Sequence, residues 1–287
     1  MDIMLGYDFS VFWNTGRAIL EGRDPYSVHD SAYPPAMAYL YALFALIPFW
    51  LAFPIWCGLN VILLFDTLRR KGLARQFPAW LASSPSLFLL FSGQIDLLFL
   101  WFSNFMSGTG WLAALAAALI TLKPQAAIVL LPWPLLRWLR QERMQLLRWG
   151  GLCLLLHGFP LLLDPGIYQR WLQAVAQQPD WRAPISSGLF LLTNLNVPVW
   201  VIAVPAVALA VWGLTRDEMT ARTALLLAQP LGIWYEDILL VGAVSWKFFL
   251  PLSLAAFALS VLFSNGLPFI LIPAGVLLLR LMKKGTS

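Results

Sequence analysis

GYDFSVFWNTGRAILEGRDPYS, residues 6–27, and YPPAMAYLYALFALIP, residues 33–48, open a chain that otherwise reads as oil. The first stretch carries five charges, Asp8, Arg17, Glu21, Arg23 and Asp24, in a protein of which only 11% is charged and 60% hydrophobic. Mean hydropathy is +0.74. A soluble domain carries about 25% charged residues, so the polar side chains here cannot cover a globule and bilayer must solvate most of the surface. The expected fold is all-α: one polytopic transmembrane helical bundle over residues 1–287. A charged, aromatic segment at its start needs a place in that bundle.

The loop charges supply it. Apolar runs able or nearly able to span fall at about 50–68, 77–92, 95–106, 110–122, 124–138, 149–163, 195–214, 223–235, 237–249, 249–264 and 267–282, eleven in all. Counting one crossing per run, 14 of the 19 basic residues fall on one side. They lie in 69–75, 137–148 and 215–222, at Lys247, and at Arg280, Lys283 and Lys284. By the positive-inside rule that side is the cytoplasm, and the C-terminus is there. The opposite side collects ten of the 14 acids, with 1–49, 93–96, Lys123, 164–187 and 235–237. A crossing at 35–48 would put the basic 69–75 loop outside. Residues 8–48 therefore read as an extracytoplasmic juxtamembrane platform. One helix covers 8–21, with Phe9, Phe12, Trp13 and Ile19 as its apolar contacts, and another covers 35–48 behind Pro34-Pro35.

The polar constellations all face outward in this layout. Asp8, at the N-terminal end of the first platform helix, can take a proton from a hydroxyl; a helix dipole also favours an acid there. The same dipole would tolerate Asp96, which with Gln94 follows Gly93 in SGQIDLLFL. Lys123 in ITLKPQAAIVLL is one cation between two apolar stretches, a costly placement. It would hold an anion such as a phosphate, or snorkel to the interface. Tyr235, Glu236 and Asp237 in QPLGIWYEDILL sit in an outer turn, where adjacent acids could simply be solvated. In loop 164–187, Trp181 beside Arg182 could stack on a sugar or grip a phosphate, or serve as an ordinary connector. His29 and His157 are far apart and no metal-ligand spacing is present. No phosphate-binding loop, dinucleotide fingerprint or Ser/His/Asp arrangement occurs. Cys57 and Cys153 lie inside apolar runs and suggest neither a disulfide framework nor a zinc site. No metal or cofactor is expected, and no nucleic-acid partner. Nucleotide sugars are cytoplasmic, so a donor used on the outer side would be lipid-borne.

The order Asp8, Trp13, EGRDPYS, the Tyr33-Pro34-Pro35 motif, Ile47-Pro48 and Asn60 resembles the opening of the polyprenol-phosphate-mannose-dependent mannosyltransferases of glycosyltransferase family 87, within the GT-C superfamily. SGQID, LKPQ and the spacing of Pro230, Tyr235 and Glu236 are similar to later family motifs, in the same order. The resemblance implies many transmembrane helices, consistent with the eleven apolar runs, with juxtamembrane helices in the first outer loop and a catalytic acid early in that loop, matched by Asp8. It implies inverting transfer of a sugar, mannose by family, from a polyprenyl-phosphate donor to a lipid or glycan acceptor hydroxyl. Lys123, then Arg182, would stabilise the departing phosphate. Gln94, Asp96, Tyr235, Glu236, Asp237, Trp13 and Tyr33 complete the implied substrate-binding set. The expected location is a bacterial cell (inner) membrane, among membrane lipids. The family pattern places a span before the catalytic acid, and only seven residues precede Asp8 here. The expectation is a start further upstream or an N-terminus translocated unaided. Two other readings stand beside this one, a transporter or lipid flippase and a catalytically inactive subunit of the same fold. A transporter predicts broken, repeated helices with polar residues at the midplane, whereas these runs are mostly clean apart from Asn60, Asp66, Asn104 and His157.

Overall fold

The computed structural model describes residues 5–177, 189, 192, 195–229, 234–264 and 266–284, and among these residues regular structure is helical throughout. The first helices are α1 (Tyr7–Leu20), α2 (Pro35–Phe44), α3 (Phe49–Arg70), α4 (Phe77–Leu81), α5 (Ser84–Ser92), α6 (Asp96–Ser103), α7 (Trp111–Ile120) and α8 (Pro124–Leu130). Then come α9 (Pro132–Gln141), α10 (Arg143–Leu163), α11 (Ile167–Gln177), α12 (Val199–Leu214), α13 (Glu218–Ala228), α14 (Trp246–Phe263) and α15 (Leu271–Lys284).

Three of these, α3, α10 and α14, are long and apolar enough to cross a bilayer, at 22, 21 and 18 residues. The other apolar runs are helical only in part, and proline and glycine explain where they break. The run expected at 77–92 divides into α4 and α5 around Ala82 and Ser83, with Pro85 in the first turn of α5, where its missing N–H is no loss. Pro124 and Pro132 each open a helix, so 124–138 becomes α8 and α9 rather than one span. Residues 237–249 do not form a straight span: a 3₁₀ segment runs over Trp234–Leu240, and Gly242 at φ +89° turns the chain before α14. Along α10, Leu154, Leu155 and Leu162 stand exposed, Leu162 at 84%. A surface of that kind is solvated by lipid, and the chain is a membrane protein.

The chain packs as two compact units. The first comprises Met1–Leu63, Leu89–Pro124 and Trp138–Trp181; the second, Leu64–Phe88, Gln125–Arg137 and Arg182–Ser287. In the first, α1 lies on α2, and α7 packs against α6 and α10. The alanine stripe Ala113, Ala114, Ala116, Ala117 and Ala118 on α7 is buried and lets its neighbours come close. The buried Gln145 side chain holds the start of α7, donating to the Gly110 carbonyl at 2.7 Å and accepting from the Gly110 N–H at 2.9 Å. In the second unit the buried helix α13 lies between α12 and α15. Gly213 permits the α12–α13 approach, since a Cβ there would stand 2.4 Å from Ala224 Cβ. Arg280 ties α15 back by donating to Asp217 at 2.5 Å and to the Ala243 carbonyl at 2.8 Å.

Candidate active site

Both platform helices form, α1 over Tyr7–Leu20 and α2 over Pro35–Phe44, and their apolar faces turn into the protein. Phe9 and Phe12 are 2% and 3% exposed. Phe12 stacks on Tyr41 with ring centres 4.5 Å apart, and Phe9 sits among Phe44, Phe49, Phe53 and Trp56. Gly16 lets α1 and α2 touch: a Cβ there would lie 2.3 Å from the Tyr41 carbonyl oxygen.

The N-terminus of α1 is pinned to the turn that follows α5. Gly6 N–H donates to the Phe91 carbonyl at 2.8 Å, and the Trp56 indole donates to the Gly93 carbonyl at 2.9 Å. Gly93 has φ +80°, and a Cβ on it would fall 2.5 Å from Phe9 Cβ, so the turn needs glycine on both counts. This close approach brings Asp8, in the first turn of α1, against Ser92 and Gln94.

Asp96 and Lys123 meet beneath this turn. Asp96 is the first residue of α6, the helix end that favours an acid, and Lys123 lies in the short turn between α7 and Pro124, the first residue of α8. They are 0% and 1% exposed. Lys123 Nζ lies 2.6 Å from Asp96 Oδ1 and 2.8 Å from Oδ2. The Tyr33 hydroxyl donates to Gln94 Oε1 at 3.3 Å. Its loop is fixed by Tyr26, whose hydroxyl donates to the Tyr33 carbonyl at 3.0 Å, and by Trp171, whose indole donates to the Ala32 carbonyl at 2.9 Å.

Asp8 is half-buried. Its carboxyl is pushed above the ordinary range chiefly by burial; Ser92, Gln94 and Lys123 pull it down, and Asp96 adds to the rise. Tyr41 Oη, Asn60 Oδ1 and Ser92 Oγ, all in the same unit, are buried polar atoms without a hydrogen-bond partner among the described residues. The Ser92 hydroxyl faces Asp8 and favours its charged form. Unmet buried groups of this kind are where bound water or a ligand's hydroxyls satisfy the protein. The arrangement can accept a proton at Asp8 and hold a polyol beside it.

The structure thus gathers Asp8, Tyr33, Gln94, Asp96 and Lys123. Trp13 stands five residues beyond Asp8, about 140° round the helix; its indole donates to the Ile47 carbonyl at 2.9 Å. Arg182 lies outside the described residues. Tyr235, Glu236 and Asp237 belong to the second unit and are buried rather than solvated. Tyr235 stacks on Phe88, and Gln229 donates to Glu236 at 2.9 Å. Neither Asp237 oxygen has a hydrogen-bond partner among the described residues. Tyr41 and Ser92 were missed in the sequence. Ser92 lies inside the SGQID motif, but Tyr41 is one aromatic among many in an apolar run.

The family model of glycosyltransferase family 87 matches residues 32–242, well over half of the chain. This chain belongs to glycosyltransferase family 87. Membership makes it a glycosyltransferase. Tyr33, Tyr41, Asn60, Ser92, Gln94, Asp96, Lys123 and the Tyr235–Asp237 segment lie within the matched residues, while Asp8 and Trp13 precede them. No curated protein and no solved structure matches the chain significantly.

Proposed function

We propose that this family 87 glycosyltransferase moves a sugar, mannose by preference, from a polyprenyl-phosphate donor to an acceptor hydroxyl on the extracytoplasmic side, with inversion. The observation that carries the reading is the half-buried carboxyl of Asp8, set beside unmet polar atoms and a buried ion pair. Asp8 takes the proton of the acceptor hydroxyl as that oxygen attacks the anomeric carbon. The bond from that carbon to the phosphate oxygen breaks, and its electron pair leaves with the polyprenyl phosphate. Attack from the face opposite the leaving group inverts the centre. Burial suits this task, because a carboxyl whose proton affinity is raised is a stronger base than a solvated one. Tyr33 and Gln94 orient hydroxyls at the same place; Trp13, and in the second unit Tyr235, Glu236 and Asp237, are further substrate-binding candidates. Lys123 is engaged by Asp96, so Arg182 is the cation we assign to the leaving phosphate.

The test is single-turnover transfer from radiolabelled polyprenyl-phosphate mannose, in membranes carrying wild type or Asp8→Asn. The glucose, galactose and arabinose donors are run in parallel. Label should enter a new product with wild type, and the variant should lose about 10²–10⁴-fold in rate with expression and donor binding intact. Turnover by Asp8→Asn at the wild-type rate removes Asp8 as the base. Transfer from another sugar donor alone replaces mannose and leaves the chemistry standing.

A further inference from the structure

We propose that Asp96 and Lys123 work as one positioning device that sets the charge on Asp8, and that neither is a ligand for the donor's phosphate. The inference rests on Asp8 being the base. Its first ground is geometric. Lys123 Nζ is enclosed, 1% exposed, with both oxygens of a 0%-exposed carboxylate within 2.8 Å. An ammonium already held this way has no face for a phosphate unless the pair is broken. Breaking a buried pair costs about 3–5 kcal/mol because it strands a charge.

The second ground is placement. The pair hangs from the turn Ser92–Ile95, and that same turn grips the first turn of α1 through Phe91, Gly93 and Phe9. Both charges are therefore felt at Asp8. The groups facing Asp8 are Tyr7 on its own helix, Tyr41 from α2, the uncharged Ser92 and Gln94, and the charges of Asp96 and Lys123. Of the groups that bear a full charge, the pair is the pair that counts. Lys123 favours the ionised carboxylate and Asp96 opposes it. Acting together, the pair offsets its own two influences, so Asp8 is less acidic than a carboxylate beside a lone cation and more acidic than one beside a lone carboxylate.

The sign of each prediction follows. Asp8 acts as a base only when ionised, so transfer falls as pH drops through its elevated proton affinity. Asp96→Asn leaves Lys123 unopposed and should move the acid limb of the rate–pH profile down by about one unit, the size expected for a nearby unit charge in a part-buried site. Lys123→Met should move it up by a similar amount. A lone buried charge risks unfolding the protein, so Asp96→Asn/Lys123→Met, which strands none, is measured too. It should transfer with a smaller displacement than either single variant and an unchanged KM for polyprenyl-phosphate mannose. Lys123→Arg, which keeps the pair, should restore the wild-type limb.

The experiment is the full-length enzyme in membranes, with transfer measured from pH 4 to 9 at saturating and limiting donor for wild type, Asp8→Asn and these variants. Opposite displacements of the limb with unchanged donor KM support the device. A limb that stays put in the double variant and in whichever single variants fold, with donor KM raised tenfold or more, overturns it and makes Lys123 a phosphate ligand. Transfer by Asp8→Asn with an unaltered limb defeats the underlying reading of Asp8 instead, which separates the two failures.

Discussion

A carboxylate serves as base to a sugar hydroxyl when it is dry enough to want the proton and wet enough to be ionised. Asp8, the base we propose, lies half-buried at the first turn of α1 while Ser92 and Gln94 face it and favour its charged form. Tyr33 reaches it indirectly, through a long 3.3 Å bond to Gln94. Tyr33→Phe removes one hydroxyl that orients but takes no proton, and a neutral hydrogen bond is worth about 0.5–1.5 kcal/mol. Transfer should therefore fall by about tenfold or less, against at least a hundredfold for Asp8→Asn. A Tyr33→Phe loss as deep as that of Asp8→Asn would make the phenol a participant in the chemistry. At this scale the polar residues are legible in the sequence and their relations are not. Asp8, Gln94, Asp96 and Lys123 each stand out as polar groups in an apolar chain. That Asp96 and Lys123 are one ion pair is invisible in a string that separates them by 27 positions. The unmet atoms of Tyr41, Asn60 and Ser92 depend on what surrounds them, and composition carries no such information.

The site exists because two elements approach closer than ordinary side chains allow. Gly16 sets α1 on α2, and Gly93 sets the α5–α6 turn on Phe9. Gly16→Ala would push a methyl into the α2 backbone, which cannot swing aside as a side chain could. Forced overpacking costs about 1–3 kcal/mol. Gly93→Ala adds the penalty of a non-glycine residue at φ +80°, about 1–2 kcal/mol. Thermal unfolding of the purified protein should show both variants less stable than wild type, Gly93→Ala with the larger loss of transfer because its turn carries Gln94 and leads to Asp96. Gly22→Ala is the control. Its added Cβ meets nothing within 4 Å, although its φ of +67° carries the same backbone strain, so it should lose stability without a selective loss of transfer. If Gly93→Ala transfers as well as Gly22→Ala does, the turn is not what aims the site. The helices α1 and α2 were legible from Pro34-Pro35 and from the spacing of Phe9 and Phe12. The lengths of the later helices were not, because an apolar run looks alike whether it is one span or two short helices broken by Pro124 and Pro132.

For the whole molecule the question is which compartment Asp8 faces, because that decides which donor can reach it. Arg69 and Arg70 end α3, Lys71 and Arg75 follow it, and Arg137, Arg140, Arg143 and Arg148 crowd the α9–α10 junction. Such clusters are held in the cytoplasm during insertion, and α3 is long enough to carry the chain from one side to the other, at 22 residues. On the orientation we propose, residues ahead of α3, Asp8 included, lie outside, where a nucleotide sugar is absent and the donor is lipid-borne. Ser27 and Arg75 are exposed on the two sides of α3, and Cys57 and Cys153 are half-buried within helices. On a background with both native cysteines replaced by alanine, Ser27→Cys should react with a membrane-impermeant maleimide in intact cells. Arg75→Cys should react only after permeabilisation. The reverse pattern would turn Asp8 to the cytoplasm and make a nucleotide sugar the donor to test. Labelling of both sites in intact cells would mean that α3 does not cross, and the orientation would then have to be carried by α10 and α14 alone.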